Sequence, residues 1–250
     1  PHIYRHREIG PPRRNSISVR RTESIRRYAI RPVGTCRHNQ INRRARKHIP
    51  TRTTIPTKPT MKEKEEQRLI NLKQYECELR SKGYKYICGI DEAGRGPLAG
   101  PVVVASVIMP ENSMIEGVND SKKVSEKKRE KLYDEIIENA ISWSVAIIDK
   151  QDIDELNILN ATKKGVTEAI QGLKTKPELI LVDALNGIDT CNIKYDSIIK
   201  GDAKCYSISA ASILAKVTRD RIMREWDEVY PQYGFAKHKG YGTKAHIEAL

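Results

Sequence analysis

Four apolar residues in a row, Leu179-Ile180-Leu181-Val182, do most to limit what this chain can fold into. Pro177 lies just before them, Asp183 follows directly, and the run is too short for a helix. A strand apolar on both faces belongs in the middle of a sheet that is covered on each side. Around it, strand-like and helix-like stretches alternate. Residues 86–91 and 101–109 read as strands on either side of a glycine-dense turn over 93–100. Residues 142–148 alternate as a third strand, and 192–199 form a further one after the central run. Helical spacing marks 62–82, ended by Gly83, then 126–140 behind Ser125, then 160–173 and a long helix over 207–229. In that last helix Ile213, Leu214, Val217 and Ile222 make the expected buried stripe, with Arg219, Arg221 and Arg224 outside. Thr243 opens a final helix. This order predicts an α/β fold, a mixed sheet flanked by helices.

Charge divides the chain at about residue 60. The formal net charge is +13 over 250 residues, a balance that points to nucleic acid. Yet residues 1–60 hold 16 Lys and Arg against Glu8 and Glu23 alone, while 61–250 hold 29 bases and 30 acids. The basic residue changes as well, from 14 Arg and 2 Lys before the boundary to 7 Arg and 22 Lys after it. Pro1 is not an initiator, and Met61 opens the Lys- and Glu-rich part. Rich in proline and lacking sustained apolar periodicity, residues 1–60 are expected to be a disordered basic arm. Upstream sequence translated in frame, a transit peptide and an arm that grips nucleic acid all remain open for it. The five cysteines, Cys36, Cys77, Cys88, Cys191 and Cys205, form no CxxC pair. That pattern suggests a reducing compartment, the cytoplasm, and no disulfide framework. No apolar run approaches the roughly 18 residues that a membrane span needs.

Chemistry is expected where acids meet strand ends. Asp91 and Glu92 follow the first predicted strand, Asp183 the fourth, and Asp202 lies just past the fifth. Taken singly, each reads as well as a solvated strand end or an Asx turn. Together they offer hard oxygen ligands from separate strands, which is what Mg²⁺ or Mn²⁺ needs. Two such ions can activate a water and stabilise a leaving 3′ oxygen. Beside the acids, Gly94-Arg95-Gly96 combines backbone free of Cβ with a guanidinium able to hold a phosphate. A simple tight turn with a solvated arginine is the bland alternative. His238 and His246 read as loop and helix-surface residues, and Asp220 as part of a surface ladder with Lys216 and Arg224.

Over roughly 84–250 the chain resembles bacterial ribonuclease HII, the type 2 ribonucleases H. The resemblance rests on Asp91-Glu92-Ala93-Gly94-Arg95-Gly96-Pro97, on Asn119-Asp120-Ser121-Lys122-Lys123 and on Val182-Asp183. It continues through Lys200-Gly201-Asp202, Ser209-Ala210-Ala211-Ser212-Ile213-Leu214-Ala215-Lys216-Val217-Thr218-Arg219-Asp220 and Lys237-His238-Lys239-Gly240-Tyr241-Gly242. It implies a ribonuclease H-like fold with Asp91, Glu92, Asp183 and Asp202 as ligands of two divalent ions. It also implies cutting of RNA–DNA hybrids, and 5′ to single ribonucleotides in duplex DNA. In that scheme Gly94, Arg95 and Gly96 meet the 2′-hydroxyl region and Tyr241 stacks on the next sugar. Lys122 and Ser209 are further candidate substrate contacts, as are Lys123, Lys237 and Lys239 for phosphates. A monomer acting on ribonucleotide-containing DNA is expected, without a membrane. Residues 1–60 match nothing in the family, with 61–83 as a leading helix, and family members continue beyond Leu250, so the catalytic domain reads as truncated. A resolvase or transposase core, or a basic binding module, are the rival readings.

Overall fold

Residues 60–250 are described in the computed structural model, so the expectation of disorder for the basic arm falls almost wholly outside them. Five strands form one mixed sheet: β1 (Ile87–Ala93), β2 (Val102–Ile108), β3 (Ser142–Ile148), β4 (Leu179–Asp183) and β5 (Tyr195–Ile198). Their spatial order is β3-β2-β1-β4-β5. β1 pairs with β2, and β2 with β3, antiparallel, whereas β1 with β4 and β4 with β5 run parallel. The apolar run is thus near the centre of the sheet, between β1 and β5.

Helices cover both faces. On one side Val103, Ala105 and Val107 of β2 pack with α1 (Met61–Ser81), α2 (Glu126–Asn139) and α4 (Tyr206–Val229). On the other, Val102, Val104 and Ile108 pack against α3 (Lys150–Gln171). Every residue of β2 is buried, as period-2 side chains on a doubly covered strand must be. Gly89 of β1 lets α4 come close, since a Cβ there would collide with the backbone of Ser207 and Ile208. Helix α1 belongs to the same core, with Leu69 and Leu72 among the β2 and α4 residues. Glu76 of α1 is fully buried and accepts from the amide (2.7 Å) and hydroxyl (2.9 Å) of Ser207, in the first turn of α4.

The structure corrects five expectations. β1 runs on through its acids, with Asp91 paired to Ala105 and Glu92 to Val104, so these residues sit in the strand and not after it. Helix α3 begins ten residues early, at Lys150, capped by the Asp149 carboxylate. It breaks at Asn157 (φ 66°), whose side chain recaps the next turn through the amides of Leu159 and Asn160. Arg219 is not on the outside of α4 but 1% exposed. Asp220 is buried as well, pairing with Lys216 (2.5 Å) and with Arg129 of α2 (3.5 Å). Arg224 pairs instead with Glu126 and Glu130. His246, in the short helix α6 (Lys244–Ala249) that follows α5 (Phe235–His238), is fully buried. Its ring stacks on that of His238 at 4.4 Å between centroids.

Candidate active site

The register of β1 and β4 brings the first acids together. These strands are parallel, with Ile90 opposite Val182, so the next residue on each, Asp91 and Asp183, stand side by side. After β5 the chain turns through Lys200, in the left-handed region at φ 59°, into a 3-10 turn over Gly201–Ala203. There the Gly201 amide donates to Asp183 Oδ1 at 2.7 Å, tying Asp202 to the end of β4. The turn that follows β5 therefore does for Asp202 what the sheet does for Asp91 and Asp183.

These acids are crowded and largely out of water. Asp91 is 6% exposed and Asp202 8%. Burial holds the Asp91 carboxyl well above the usual carboxylate range, and the Glu92 charge pushes the same way. Burial also raises Glu92, against the pull of the Arg95 guanidinium 3.1 Å away. Asp202 is raised by burial and by the charges of Asp120 and Asp183. Like charges gathered in low dielectric favour either a proton or a cation among them. In their present rotamers, no three His, Cys, Asp or Glu side chains among the described residues converge closely enough to ligate one ion. The engaged hydrogen bonds account for this: Asp183 faces the Gly201 amide, Asp91 the Glu92 amide and Glu92 the Arg95 guanidinium. The donor set itself is all carboxylate oxygen, which fits a hard divalent cation.

A cleft of about 180 Å³ opens above the acids, with Asp91, Glu92 and Asp183 on its floor and Arg95, Lys122 and Tyr241 around it. Tyr241 is 46% exposed, which excludes a core-filling role. Its ring lies over Gly96, Cε1 being 3.7 Å from where a Cβ would stand, with Lys216 Nζ 6.0 Å from the ring centroid. A larger hollow of about 540 Å³ lies elsewhere, walled by Trp226, Tyr230, Tyr233 and Phe235. Its one acid, Asp149, is already spent as the cap of α3. The smaller cleft is the chemically equipped one.

Of the sequence candidates, Asp202, Ser209, Lys123, Lys237 and Lys239 do not line the cleft. Ser209 is fully buried, its hydroxyl donating to the carbonyls of Asp202 (2.7 Å) and Cys205 (3.0 Å), so it steadies the Asp202 turn from beneath. Lys239 turns its ammonium onto the Ala236 carbonyl. Conversely, Asp120, Ser121 and Lys216 join the site without having been assigned to it, and Ser212 joins it too. Asp120 adds its charge beside Asp202. Ser212 and Ser121 pair through their hydroxyls at 2.9 Å, and Ser212 partly opposes the upward pull of burial on Asp91. Only their presence in the motifs pointed to them, because their contacts span some ninety residues of chain.

Comparison with known proteins places this geometry. A family model described as Ribonuclease HII matches residues 88–250. The ribonuclease HII of Acetivibrio thermocellus is 58% identical over 188 residues, covering 75% of this chain and 73% of the relative. That of Bacillus cytotoxicus is 56% identical over 193 residues, covering 77% and 73%. Among solved structures, ribonuclease H2 from Pyrococcus horikoshii OT3 superposes with a TM-score of 0.56 at 30% identity, covering 65% of this chain and 83% of that one. The PCNA:RNase HII complex from Archaeoglobus fulgidus gives 0.57 at 31%, covering 65% and 85%.

Proposed function

We infer the reaction from one premise: the chain belongs to the ribonuclease HII family. It is an endonuclease that hydrolyses the RNA of RNA–DNA hybrids. The readings as a resolvase or transposase core, or as a basic binding module, fall with that membership. Members of the family depend on a divalent metal, and among the described residues no helix is long and apolar enough to cross a membrane.

Beyond this, we propose that the enzyme also cuts 5′ to single ribonucleotides embedded in duplex DNA, leaving 3′-hydroxyl and 5′-phosphate ends. Asp91, Glu92, Asp183 and Asp202 would hold two divalent cations, Mg²⁺ or Mn²⁺. The observation that carries this is the parallel register placing Asp91 against Asp183, with buried Asp202 tied to the same strand end. Bound there, the ions supply a water activated for attack and neutralise charge on the leaving 3′ oxygen.

The chain's own groups do the rest. Glu92 would exchange the Arg95 guanidinium for the cations, which frees Arg95 to hold a phosphate by paired N–H donors. Backbone at Gly94 and Gly96, with no side chain in the way, can come within hydrogen-bonding range of a 2′-hydroxyl, the group that separates RNA from DNA. Tyr241, half-exposed and facing the turn, would stack on the following sugar. Lys122 at the edge of the cleft would take a phosphate. The unit carrying this work is residues 60–250, acting as a monomer in the cytoplasm, where it meets DNA.

The test uses the full chain on duplex DNA carrying one ribonucleotide, beside an all-DNA control, with Mg²⁺ or Mn²⁺ and with chelator. Cutting of the first duplex alone, abolished by chelator, is expected. Cutting of both or of neither, or cutting that survives chelation, overturns the proposal.

A further inference from the structure

Arg219 is the largest fully buried side chain among the described residues, and the reaction as described gives it no task. It is 1% exposed and forms no salt bridge with any described residue. A buried cation without a carboxylate partner is costly unless its donors are all well used. Here they are used on backbone. Nε donates to the Pro101 carbonyl at 3.0 Å, Nη2 to Ala99 at 2.9 Å and Nη1 to Lys239 at 2.8 Å. The first two carbonyls end the glycine turn, and the third begins the loop that carries Tyr241. No other described side chain hydrogen-bonds to both segments.

The two segments are also fitted to each other. The Leu98 amide donates to the Gly240 carbonyl at 2.9 Å. Gly240 lies at φ +82°, and a Cβ on it would strike the Ala99 carbonyl. Gly94 lies at φ +115°, where a Cβ would meet both the Pro101 carbonyl and Arg219 itself. On the far side, His238 Nδ1 accepts from the Gly240 amide and His246 Nδ1 bonds the Tyr241 carbonyl, but neither histidine reaches the turn. The spacing between the turn and the tyrosine ring is thus held by the backbone bonds from the Leu98 and Ala99 amides to the Gly240 carbonyl together with one guanidinium that has three fixed partners.

We infer that Arg219 is a positioning residue for ribonucleotide recognition, setting the gap between the Gly94-Arg95-Gly96 backbone and the Tyr241 ring. This rests on the reading that the turn meets the 2′-hydroxyl and the ring meets the next sugar. A gap of fixed width can accept a ribonucleotide followed by a deoxynucleotide and disfavour other steps. A gap free to widen cleaves, but discriminates less. Lysine cannot replace arginine here, since one ammonium does not span three carbonyls held in a planar fork.

The decisive quantity is a ratio: kcat/KM on a duplex with one embedded ribonucleotide, divided by kcat/KM on a continuous RNA–DNA hybrid of the same sequence. The ratio is independent of how much of a variant is folded. In the full chain, Arg219→Lys should lower it about 10-fold, as a sub-ångström displacement of recognition groups does. Tyr241→Ala should lower it as much, and the double variant no further. Equal losses of Arg219→Lys on both substrates would make Arg219 a scaffold residue only and overturn the inference. So would additive losses in the double variant, which would show Arg219 acting by a separate route. If Tyr241→Ala leaves the ratio unchanged, the reading of Tyr241 itself fails, and that failure is distinguishable from the other two. Should Arg219→Lys not yield soluble protein, Gly240→Ala wedges the same joint from the loop side. The same fall is expected of it, and an unchanged ratio counts against the inference.

Discussion

Asp91 and Asp183 stand on two adjacent interior strands of the sheet, whereas Arg95 and Tyr241 stand on loops that no strand holds. The acids are placed by backbone pairing, their positions shared with the most deeply packed residues of the molecule. The loops are joined to each other at the Gly240 carbonyl and placed from behind by side chains, Arg219 for both and His238 and His246 for one. Hydrolysis requires like charges to be held together against repulsion, and rigid strands can do that. Discrimination requires a gap of set width, and a gap can be made from loops if something fixes their separation. The contrast suggests that damage to the floor removes the reaction, while damage to the rim leaves a reaction that selects poorly.

The largest effect should come from the floor. Asp91→Asn is expected to lower single-turnover cleavage by more than ~100-fold, beyond the loss typical when only a supporting group of a metal ligand is removed. Binding of the duplex should remain measurable by gel shift. A rate near wild type would break the comparison at its stronger end. On the rim, Tyr241→Ala should slow cleavage at the ribonucleotide–DNA junction by about 10-fold, the scale of one lost stacking contact. An unchanged junction rate would mean that Tyr241 does not stack on the sugar.

Glu76→Ala acts beneath both regions and should therefore touch stability alone. It strands the buried amide and hydroxyl of Ser207, at a cost of about 2 kcal/mol read by thermal or denaturant unfolding. Burial raises the Glu76 carboxyl above its ordinary range, so the folded state prefers it protonated. Its contribution is then fullest below the unfolded carboxylate pKa and declines as pH rises through the folded value. The cost of the deletion should accordingly be greater in mild acid than at neutral pH. The opposite trend would mean that the charged form is the one the fold prefers. The smallest effect on turnover is expected from removing residues 1–59. That segment carries all of the basic surplus, so its loss should flatten the salt dependence of binding while leaving the substrate preference alone. A lost preference would place discrimination outside the rim altogether.

The same division separates what could be read in the sequence from what could not. The floor was legible because an aspartate directly after Leu179-Ile180-Leu181-Val182 breaks the pattern of a buried strand, and the motif around Asp91 repeats that signal. Its geometry was less so: periodicity ended β1 at Asp91, whereas pairing with β2 carries it to Ala93. The residues behind the rim were assigned to the surface. A helical stripe through Ile213, Leu214 and Val217 identifies the face of α4 that meets the sheet. It says nothing of what covers the other faces, loops over Arg219 and α2 with its Arg129 over Asp220, which is why both read as outside. His246 was misplaced for the same reason, its partners being Phe235, His238 and the Tyr241 carbonyl on the preceding segment. Helix α3 lost its first turns to Asn157, whose side chain restarts the helix where apolar spacing had suggested that it began.

The link between Glu76 and Ser207 has a bearing on where this enzyme's working unit starts. The family match begins at residue 88, past the end of α1. Protein trimmed to that border would lose Leu69, Leu72 and Leu79 from the interior and leave the opening turn of α4 without its acceptor. Since α4 carries both Ser212 beside the acids and Arg219 behind the rim, the boundary relevant to anyone engineering this chain lies at Thr60. A single carboxylate, twelve residues upstream of where the family model's match begins, argues for it.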